Sequence, residues 1–279
     1  MTRRLMLLRM GALATLGPVL ARVCQAQAVY ALRLGVMPYV SPARLVEVFT
    51  PLKVYLGEAL GQPVSLATAP DLGIFDERTR AGEYDLVITA PHLARKAEKL
   101  AGLQRVAMSS NTSRAMLVAL RSSPLRNFAG LRGQTLVMPS RHGIIHQMTL
   151  KTLADAGIDP VKDLKILETS THNNALEMVL KGESDAAAFG EPTWESQTDA
   201  VRAKLHVLGR SEVVPGFMVM AHPAMSAERV SVLQQVLRDL SSHATGPAYF
   251  KASGLKAFVP VNDAAMRQMD AFIRPQRGS

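Results

Sequence analysis

The chain nearly repeats itself, and this internal echo constrains its fold more than any other feature. The segment LGVMPY ends at Tyr39 and the segment TLVMPS ends at Ser140, and each is an apolar run that stops at a proline. Further along each half comes Gly-Glu-x-Asp, at Gly82 and again at Gly182, followed by a mostly apolar run and a loop with a proline. Repetition of this kind predicts one supersecondary unit used twice.

Each half has the pattern strand–helix–strand–helix–strand. In the first half, Thr50 is predicted as the N-cap of a helix with Pro51 at its first position. In the second half, IIHQMTLKTLADAG predicts a helix that ends near Gly157. The recurring Gly-Glu-x-Asp predicts a turn out of the next helix, so Asp85 and Asp185 are expected to serve turns or caps rather than catalysis. This alternation is typical of parallel α/β sheets.

We therefore predict an α/β protein of two lobes, each a mostly parallel sheet flanked by helices. The first lobe is predicted to comprise residues 29–120 plus 214–279, and the second residues 121–213. Apolar runs at 115–120 and 213–221 are expected to carry the chain across and back as a two-strand hinge. Ligands of open parallel sheets bind at the carboxyl ends of the strands. The loops after five predicted strands should therefore line one cleft between the lobes.

Residues 1–28 form a separate unit. Three arginines lie in the opening MTRRLMLLR, an apolar run follows, and Ala26–Ala28 forms a small-x-small site. This order is typical of a secretory signal peptide. The alternative is a membrane anchor, but the apolar run is shorter than the ~20 residues of a span and Arg22 interrupts it. We predict a signal peptide over residues 1–28 and a mature chain that starts near Val29.

The charge and the cysteine content exclude some classes of function and favour others. Four of the 32 basic residues and none of the 23 acidic residues lie in residues 1–28, which leaves 28 against 23. The only cysteine, Cys24, is removed with the same segment, which excludes disulfides, thiolate metal sites and a cysteine nucleophile. The mild positive charge favours an anionic ligand. The scattered basic residues and single tryptophan argue against nucleic-acid binding.

The order of the segments resembles the periplasmic solute-binding proteins of ABC importers, in particular the phosphonate/phosphite/phosphate-binding (PhnD-like) family. The resemblance covers nearly the whole mature chain. The segments that carry it are LGVMPY, PLKVYLGEALGQPV, GEYDLVITAP, LRGQTLVMPS, ALEMVLKGESDAA and GLKAFVPVND. It implies the type II periplasmic binding fold, a small anionic ligand, an inner-membrane ABC permease as partner, a monomer, and neither catalysis nor a cofactor.

The resemblance also points to a ligand site. Members of the family hold their anion with a Ser-Thr-Ser-Gly loop that opens a helix, and this sequence has Ser140-Arg141-His142-Gly143 there. Their Gly-Pro-x-x-Tyr loop corresponds to Ala90–Ala94, which lacks the tyrosine. The resulting set of predicted ligand-binding residues is Tyr39, Pro91, His92, Ser140, Arg141, His142, Gly143, His172 and Glu191.

The Ser140–Gly143 loop suits an anion on physical grounds as well. A helix N-terminus offers free N–H groups and the positive end of the helix dipole. Arg141 adds a planar pair of donors that matches an oxyanion. The alternative is that Ser140 only caps the helix and Arg141 points to solvent. Glu191 either binds an ammonium or a protonated oxygen of the ligand, or is solvated at the end of a strand.

Three histidines leave further alternatives open. His142 and His146 share one helix face and, with His172, could bind zinc through three neutral imidazoles. We favour a hydrogen-bonding role for His142 or His172 and an ordinary helix-face position for His146. An enzyme that used these histidines would be the third hypothesis, although no Ser-His-Asp order and no zinc-protease motif is present in the sequence.

The leading hypothesis is a periplasmic receptor that binds a small oxyanion, such as phosphonate, phosphite, phosphate or a sulfonate, for an ABC importer. The alternative is a sensory protein of the same fold that presents its ligand to a membrane kinase. Gene neighbours that encode a permease and an ATPase would favour the first, and a neighbouring kinase gene the second.

The signal segment generates the first testable prediction. We expect mass spectrometry of a periplasmic fraction to find a mature N-terminus at or near Val29 without a lipid. Arg22 and Val23 stand where a lipidated cysteine would need small residues before it. Recovery of the intact chain from Met1 in the cytoplasm would contradict both the cleavage and the location.

Overall fold

The two halves of the chain form two separate sheets in the computed structural model, which describes residues 30–273. The predicted signal segment, residues 1–28 with Cys24, lies outside the described residues. The predicted α/β architecture of two lobes is confirmed, with a small two-stranded sheet between them. Within residues 30–273, no helix combines the length and the hydropathy that a membrane span requires.

The first half of the chain folds as the predicted alternation of strands and helices. Its elements are β1 (Leu32–Val36), α1 (Pro42–Leu60), β2 (Val64–Ala67), α2 (Leu72–Arg80), β3 (Leu86–Thr89), α3 (Pro91–Ala101), β4 (Gln104–Ser109), β5 (Thr112–Ser113) and β6 (Ala115–Leu120).

The second half repeats this alternation after a short 3₁₀ turn at Phe128–Leu131. Its elements are β7 (Thr135–Pro139), α4 (Ile144–Asp155), β8 (Lys165–Thr169), α5 (His172–Leu180), β9 (Ala186–Gly190), α6 (Glu191–Glu195), α7 (Asp199–Arg202) and β10 (Leu205–Arg210). The chain then returns through β11 (Val214–Pro215), β12 (Met218–Ala221), α8 (Ala227–Asp239), α9 (Gly246–Ser253), β13 (Phe258–Val259), α10 (Asp263–Gln268) and a 3₁₀ turn (Met269–Phe272).

The two sheets have equivalent centres. The first sheet has the order β13-β4-β12-β3-β1-β2 and the second β10-β6-β9-β7-β8. Strands β1, β2 and β3 are parallel in the first sheet, and β7, β8 and β9 in the second. In each sheet an antiparallel strand follows the third parallel strand, β12 beside β3 and β6 beside β9. The repeated pattern in the sequence therefore corresponds to one unit of three parallel strands that occurs once in each sheet.

The recurring aspartates hold the same position in both units. The Oδ2 atom of Asp85 accepts the backbone N–H of Arg33 in β1 at 2.7 Å. The Oδ2 atom of Asp185 accepts the backbone N–H of Thr135 in β7 at 2.8 Å. Each carboxylate thus joins the strand it precedes to the first strand of its unit. The carboxylates therefore hold neighbouring strands together, whereas the sequence predicted that they serve turns or caps.

Helix α1 begins at Pro42 and not at Pro51, where the sequence predicted its start. Ser41 caps it, with its hydroxyl accepting the N–H of Arg44 at 3.4 Å. The prediction that Thr50 caps the helix and Pro51 opens it is wrong, because Pro51 lies inside α1 on its exposed face. Thr50 donates its hydroxyl to the carbonyl of Val46 at 2.6 Å instead of capping. An internal proline removes one helical hydrogen bond, and the buried face of α1 outweighs that loss.

The chain crosses between the sheets through the antiparallel pair β5–β11, in which Ser113 faces Val214. Strand β6 follows the crossing and pairs with β9 and β10 in the second sheet. The predicted division at residue 120 places β6 with the first lobe, whereas the hydrogen-bonded pairing puts the crossing at 112–113. The return crossing at 214–215 precedes β12, which pairs in the first sheet.

The tail of the chain packs on the first lobe, as predicted. Leu233 and Leu237 of α8 are fully buried in the core on one face of the first sheet. The hydroxyl of Tyr55 in α1 donates to the carbonyl of Val236 at 2.7 Å, which fastens the two helices together. The final 3₁₀ turn reaches the second lobe, where Met269 and Phe272 pack in one buried cluster with residues of α4.

The lobes also meet at a histidine. His92, at the start of α3 in the first lobe, has its Nε2 atom 3.0 Å from the carbonyl of His142 in the second lobe. A carbonyl only accepts, so Nε2 carries the proton and donates. His92 is 4% exposed, and burial lowers its pKa from 6.5 to about 4. The contact therefore uses a neutral imidazole near pH 7 and above.

The repeated glycines generate a prediction about stability. Gly82 has φ of 76° and Gly182 has φ of 74°, a region that costs an L-residue about 1–2 kcal/mol. An added Cβ meets no atom at Gly182, but at Gly82 it lies 2.8 Å from Nε2 of His222. We expect Gly182→Ala to lower the melting temperature by about 2–8 °C, and Gly82→Ala to lower it further. Differential scanning calorimetry measures both.

The control is the double change Gly82→Ala with His222→Ala, which removes the ring that the new methyl meets. It should recover the extra loss and leave a cost similar to that of Gly182→Ala. Equal melting temperatures for the two single variants would contradict the contact and show that His222 moves aside.

The buried His92 generates a prediction about pH. Between pH 6.5 and about 4 the unfolded chain binds a proton at His92 that the folded chain excludes. The free energy of unfolding therefore falls as the pH drops through this window, by about 3 kcal/mol from His92. His92→Gln keeps a donor but does not titrate. We expect urea denaturation at pH 7 and pH 4.5 to show a smaller pH dependence for the variant. Identical pH dependences would contradict the burial of a neutral imidazole.

Candidate functional site

A cavity of about 250 Å³ lies between the lobes at the carboxyl ends of the parallel strands. The first lobe lines it with Met37, Pro38, Tyr39, Leu72, Ala90 and Phe217. The second lobe and the crossing strand line it with Ser113, Arg114, Gly143, Ile144, Ile145, Ser170, His172, Gly190, Pro192 and Thr193. All five loops that the sequence predicted for the cleft contribute at least one residue, so that prediction is confirmed.

Helix α4 points its N-terminus at this cavity. Gly143 is its N-cap and offers no side-chain acceptor, and Ile144 and Ile145 of its first turn lie in the wall. The first N–H groups of a helix have no acceptor inside the helix. Helices α3 and α6 begin at Ala90 and Gly190, which also line the cavity and also provide no side-chain cap. Of the three helix starts, α4 therefore offers the free N–H groups most clearly, because Pro91 and Pro192 have no N–H and the N–H of Glu191 already donates to the carbonyl of Arg114 at 2.9 Å.

Arg114 supplies the positive charge. It stands between β5 and β6 at the crossing and is the one cationic side chain among the described residues of the wall. Its Nε atom is buried and has no hydrogen-bond partner in the described part of the chain. Its Nη1 atom lies 3.7 Å from Oε1 of Glu191, beyond hydrogen-bonding distance. The guanidinium thus retains donors for a ligand.

His172 has a fixed tautomer. Its Nδ1 atom accepts the backbone N–H of Gly190 at 2.9 Å, so the neutral ring carries its proton on Nε2. Burial lowers the pKa of His172, which keeps the imidazole neutral near pH 7. The ring lies in the cavity wall at the start of α5. Its Nε2–H is therefore a donor in the lining of the site.

The first lobe contributes an aromatic wall. The ring of Tyr39 packs edge-to-face on Phe49 at 6.3 Å and on Phe217 at 5.2 Å between centroids. Its hydroxyl donates to the carbonyl of Ser253 at 3.1 Å, and burial raises its pKa to about 12. Tyr39 therefore presents carbon to the cavity while its polar atom is occupied elsewhere.

Three of the predicted ligand-binding residues, Tyr39, Gly143 and His172, lie in the cavity wall. Arg141 does not. Its side chain is 66% exposed, and its Nε atom donates to Oε2 of Glu168 at 2.8 Å on the surface of the second lobe. This position matches the alternative in which the guanidinium faces solvent.

Ser140 and His142 make contacts within the Ser140–Gly143 loop or with the opposite lobe. The carbonyl of Ser140 accepts the N–H of Gly143 at 2.8 Å, and its hydroxyl lies 3.4 Å from the nitrogen of His142. His142 is exposed, and its carbonyl is the atom that meets His92 across the lobes. This loop forms a turn that brings α4 to the cavity and touches the opposite lobe.

The other predicted residues stand behind the wall. Pro91 and His92 are buried at the start of α3, next to Ala90 in the wall. Glu191 opens α6 beside Gly190 and lies near Arg114, whose carbonyl accepts its N–H at 2.9 Å. These side chains are not part of the lining, although Pro91 and Glu191 each directly follow a residue that is.

The three histidines weighed as a zinc site have separate partners. His146 is 5% exposed, and its Nδ1 atom donates to the carbonyl of Pro139 at 2.9 Å. His142 is exposed and His172 holds the N–H of Gly190. Over residues 30–273, no group of three or more histidine, cysteine, aspartate or glutamate side chains is placed to hold a metal ion.

The sequence alone did not identify Arg114, Ser113, Ser170 or Thr193. Arg114 precedes the apolar run of β6, a position that resembles the solvated flank of a buried strand. Its place in the wall follows from the crossing between sheets, which brings that flank to the cavity. Ser170 and Thr193 did have a weak indication in the sequence, because each lies within four residues of a strand end that the sequence had already assigned to the cleft.

The chemistry of the wall is that of an anion receptor. Its hydrogen-bonding groups are a guanidinium, a neutral imidazole, hydroxyls and backbone N–H groups, and these donors match the oxygens of a compact oxyanion. The described wall has no carboxylate or lysine, and the lone pair on Nδ1 of its one imidazole, His172, already accepts the N–H of Gly190, so His172 faces a ligand as a donor and not as a base. The arrangement can bind and orient an anion and exclude water from it.

Solved structures of other proteins share this fold. A protein from Xanthomonas citri bound to ATP, XAC2383, is similar with a TM-score of 0.76 and 18% identity over 87% of this chain and 95% of that one. PhnD1 from Prochlorococcus marinus in complex with methylphosphonate is similar with a TM-score of 0.75 and 16% identity over 88% and 97%. The aliphatic sulphonate binding protein SsuA from Escherichia coli follows with a TM-score of 0.59 and 18% identity over 86% and 85%.

No curated protein sequence matches the chain. The sequence model of one family does, and it matches residues 34–266, nearly all of the described chain. That family consists of transport components that bind a substrate, not of enzymes, and its members work in the periplasm beside a membrane permease. With its two lobes, interlobe cavity and wall of anion donors, the chain belongs to the family of periplasmic substrate-binding proteins of phosphonate ABC transporters.

Proposed function

We propose that this protein binds a phosphonate or a closely related oxyanion in the cavity between its lobes and delivers it to an inner-membrane ABC permease. The observation that carries the proposal is the Arg114 guanidinium, whose buried Nε has no partner in the described chain, in the same wall as the uncapped start of α4. A buried donor without an acceptor is costly, so the site is complete only when an acceptor enters.

The proposed contacts divide the anion among several donors. The N–H groups at the start of α4 bind one oxygen, with the helix dipole favouring the negative charge. Arg114 binds a second oxygen through a charge-assisted hydrogen bond, and the Nε2–H of His172 binds a third. Ser113, Ser170 and Thr193 add neutral hydroxyls in the same wall. A tetrahedral head with three oxygens matches this distribution better than a planar carboxylate with two.

Closure of the lobes is part of the proposed mechanism. Both lobes line the cavity, and the paired strands β5 and β11 connect them, so we infer that the lobes move about this pair, with β6 in the second lobe. The His92–His142 contact and the packing of Met269 on α4 belong to the closed arrangement. Closing the cleft expels water and strengthens each hydrogen bond to the anion.

The relation to the membrane completes the proposal. We infer that residues 1–28 act as the signal peptide that exports the chain, and that the mature protein works as a monomer without a nucleic-acid partner. The family resemblance of residues 34–266 supports the permease as the receiving partner. The PhnD1 structure with methylphosphonate, over 88% of this chain, supports methylphosphonate as the first ligand to test.

Arg114 provides the test. Arg114→Ala removes a charge-assisted hydrogen bond that contributes about 1.5–3 kcal/mol. We expect the affinity for methylphosphonate to fall roughly ten- to a hundredfold in isothermal titration calorimetry. Arg114→Lys should recover part of the affinity, because an ammonium keeps the charge but lacks the planar fork.

Arg141→Ala is the matched control, since it removes the same side chain from the exposed Glu168 pair. We expect an affinity within about threefold of wild type, because an exposed ion pair contributes ~0–1 kcal/mol. A large loss in the Arg141 variant with little loss in the Arg114 variant would reverse the assignment and restore the Ser140–Gly143 loop as the anion site. Absence of binding to every phosphonate, phosphate and sulfonate tested would refute the proposed function.

A further inference from the structure

We infer that the ligand carries an apolar, uncharged substituent on its anionic head, and that the cavity discriminates against a substituent with an ammonium group. The inference rests on the proposed function, because it concerns the other end of the same ligand. It names a chemical class, alkyl-type phosphonates without an amine, that the anion donors alone do not select.

The two walls of the cavity differ in chemistry. Every polar side chain that is free to meet a ligand comes from the second lobe or the crossing, namely Ser113, Arg114, Ser170, His172 and Thr193. The first lobe faces them with Met37, Pro38, Leu72, Ala90 and the two aromatic rings of Tyr39 and Phe217. A ligand that fills the space must therefore meet donors on one side and carbon on the other.

The single polar atom of the first-lobe wall is occupied. The Tyr39 hydroxyl donates to the carbonyl of Ser253 at 3.1 Å. Its ring is held edge-to-face by Phe49 and Phe217, so the hydroxyl cannot turn to the cavity without breaking both contacts. The first-lobe wall thus offers a substituent apolar contact and no side-chain hydrogen bond.

An ammonium has no counter-ion in this cavity. No aspartate or glutamate is among the described lining residues. The Glu191 carboxylate is not part of the lining, and its Oε1 atom lies 3.7 Å from the Arg114 guanidinium, which is already a positive partner for it. An ammonium that entered with its phosphonate head on the donors would lose its water and gain no charged partner, which is costly in a closed site.

The volume leaves room for such a substituent. The cavity measures about 250 Å³, whereas one water molecule occupies ~30 Å³ of liquid. A head of one phosphorus and three oxygens fills only part of this space. The remainder lies against Phe217 and Tyr39, where a chain of a few carbon atoms would replace water and bury apolar surface.

The experiment compares two ligands with the same number of heavy atoms, n-propylphosphonate and 2-aminoethylphosphonate, with methylphosphonate as reference. Calorimetry on the mature protein should give n-propylphosphonate roughly tenfold or more tighter binding than 2-aminoethylphosphonate. Measurement at two pH values separates the charge of the substituent from the ionisation of the head, which differs between the ligands.

The outcomes distinguish the inference from the function it rests on. If none of the three phosphonates binds, the proposed function fails. If they bind and 2-aminoethylphosphonate is as tight as n-propylphosphonate or tighter, the function stands and the inference is overturned. Preference for n-propylphosphonate at both pH values supports the inference.

Two variants locate the discrimination. Phe217→Ala should lower the ratio of n-propyl- to methylphosphonate affinity roughly fivefold, because methylphosphonate has no chain to lay on the ring. An unchanged ratio in a variant that still binds methylphosphonate would overturn the placement of the substituent. Glu191→Gln tests the opposite view. A 2-aminoethylphosphonate affinity that stays the same or rises supports the inference, and a selective tenfold fall overturns it, because Glu191 would then hold the ammonium.

Discussion

The unsatisfied N–H groups at the starts of helices are the constraint on which the rest of this site depends. In a strand–helix unit each helix begins where its strand ends, so a parallel sheet collects helix N-termini along one edge. Two sheets that face each other with these edges bring the starts of α3, α4 and α6 to one cavity, and α4 keeps the most free N–H groups because prolines stand in the first turns of α3 and α6. Water satisfies these groups in an open cleft, and an anion satisfies them in a closed one.

The exchange of strands between the sheets places the charge. After leaving the first sheet the chain pairs as β6 in the second, and after leaving the second it pairs as β12 in the first. Arg114 stands at the first of these crossings, where it belongs to neither lobe alone. In the proposed mechanism the lobes move about this crossing, so Arg114 can attract an anion to the open cleft and still bind it after closure.

The sequence predicted the fold well because short patterns of residues indicate most of its strands, helices and turns. The echo of Gly82 and Gly182, the apolar strands and the prolines after them are visible in short windows, and the structure repeats each of them. The prediction that the helix starts at Pro51 was wrong because burial of one face of α1 stabilises the helix on both sides of this proline. Arg114 was missed and Arg141 selected because the partners of an arginine are decided by long-range geometry: Glu168 lies 2.8 Å from Arg141, and no spacing in the sequence shows it.

Part of the affinity of this site is built into contacts that never touch the ligand. In the proposed mechanism, the His92–His142 hydrogen bond and the packing of Met269 and Phe272 on α4 stabilise the closed arrangement itself. Arg95 fastens that turn to the first lobe, with its Nε 2.7 Å from Oδ1 of Asp270. Such contacts lower the free energy that ligand binding must supply for closure, and so they raise the affinity for every ligand that fits. Selectivity has to come from the walls, where donors on one side and aromatic carbon on the other decide which anions allow the lobes to close around them.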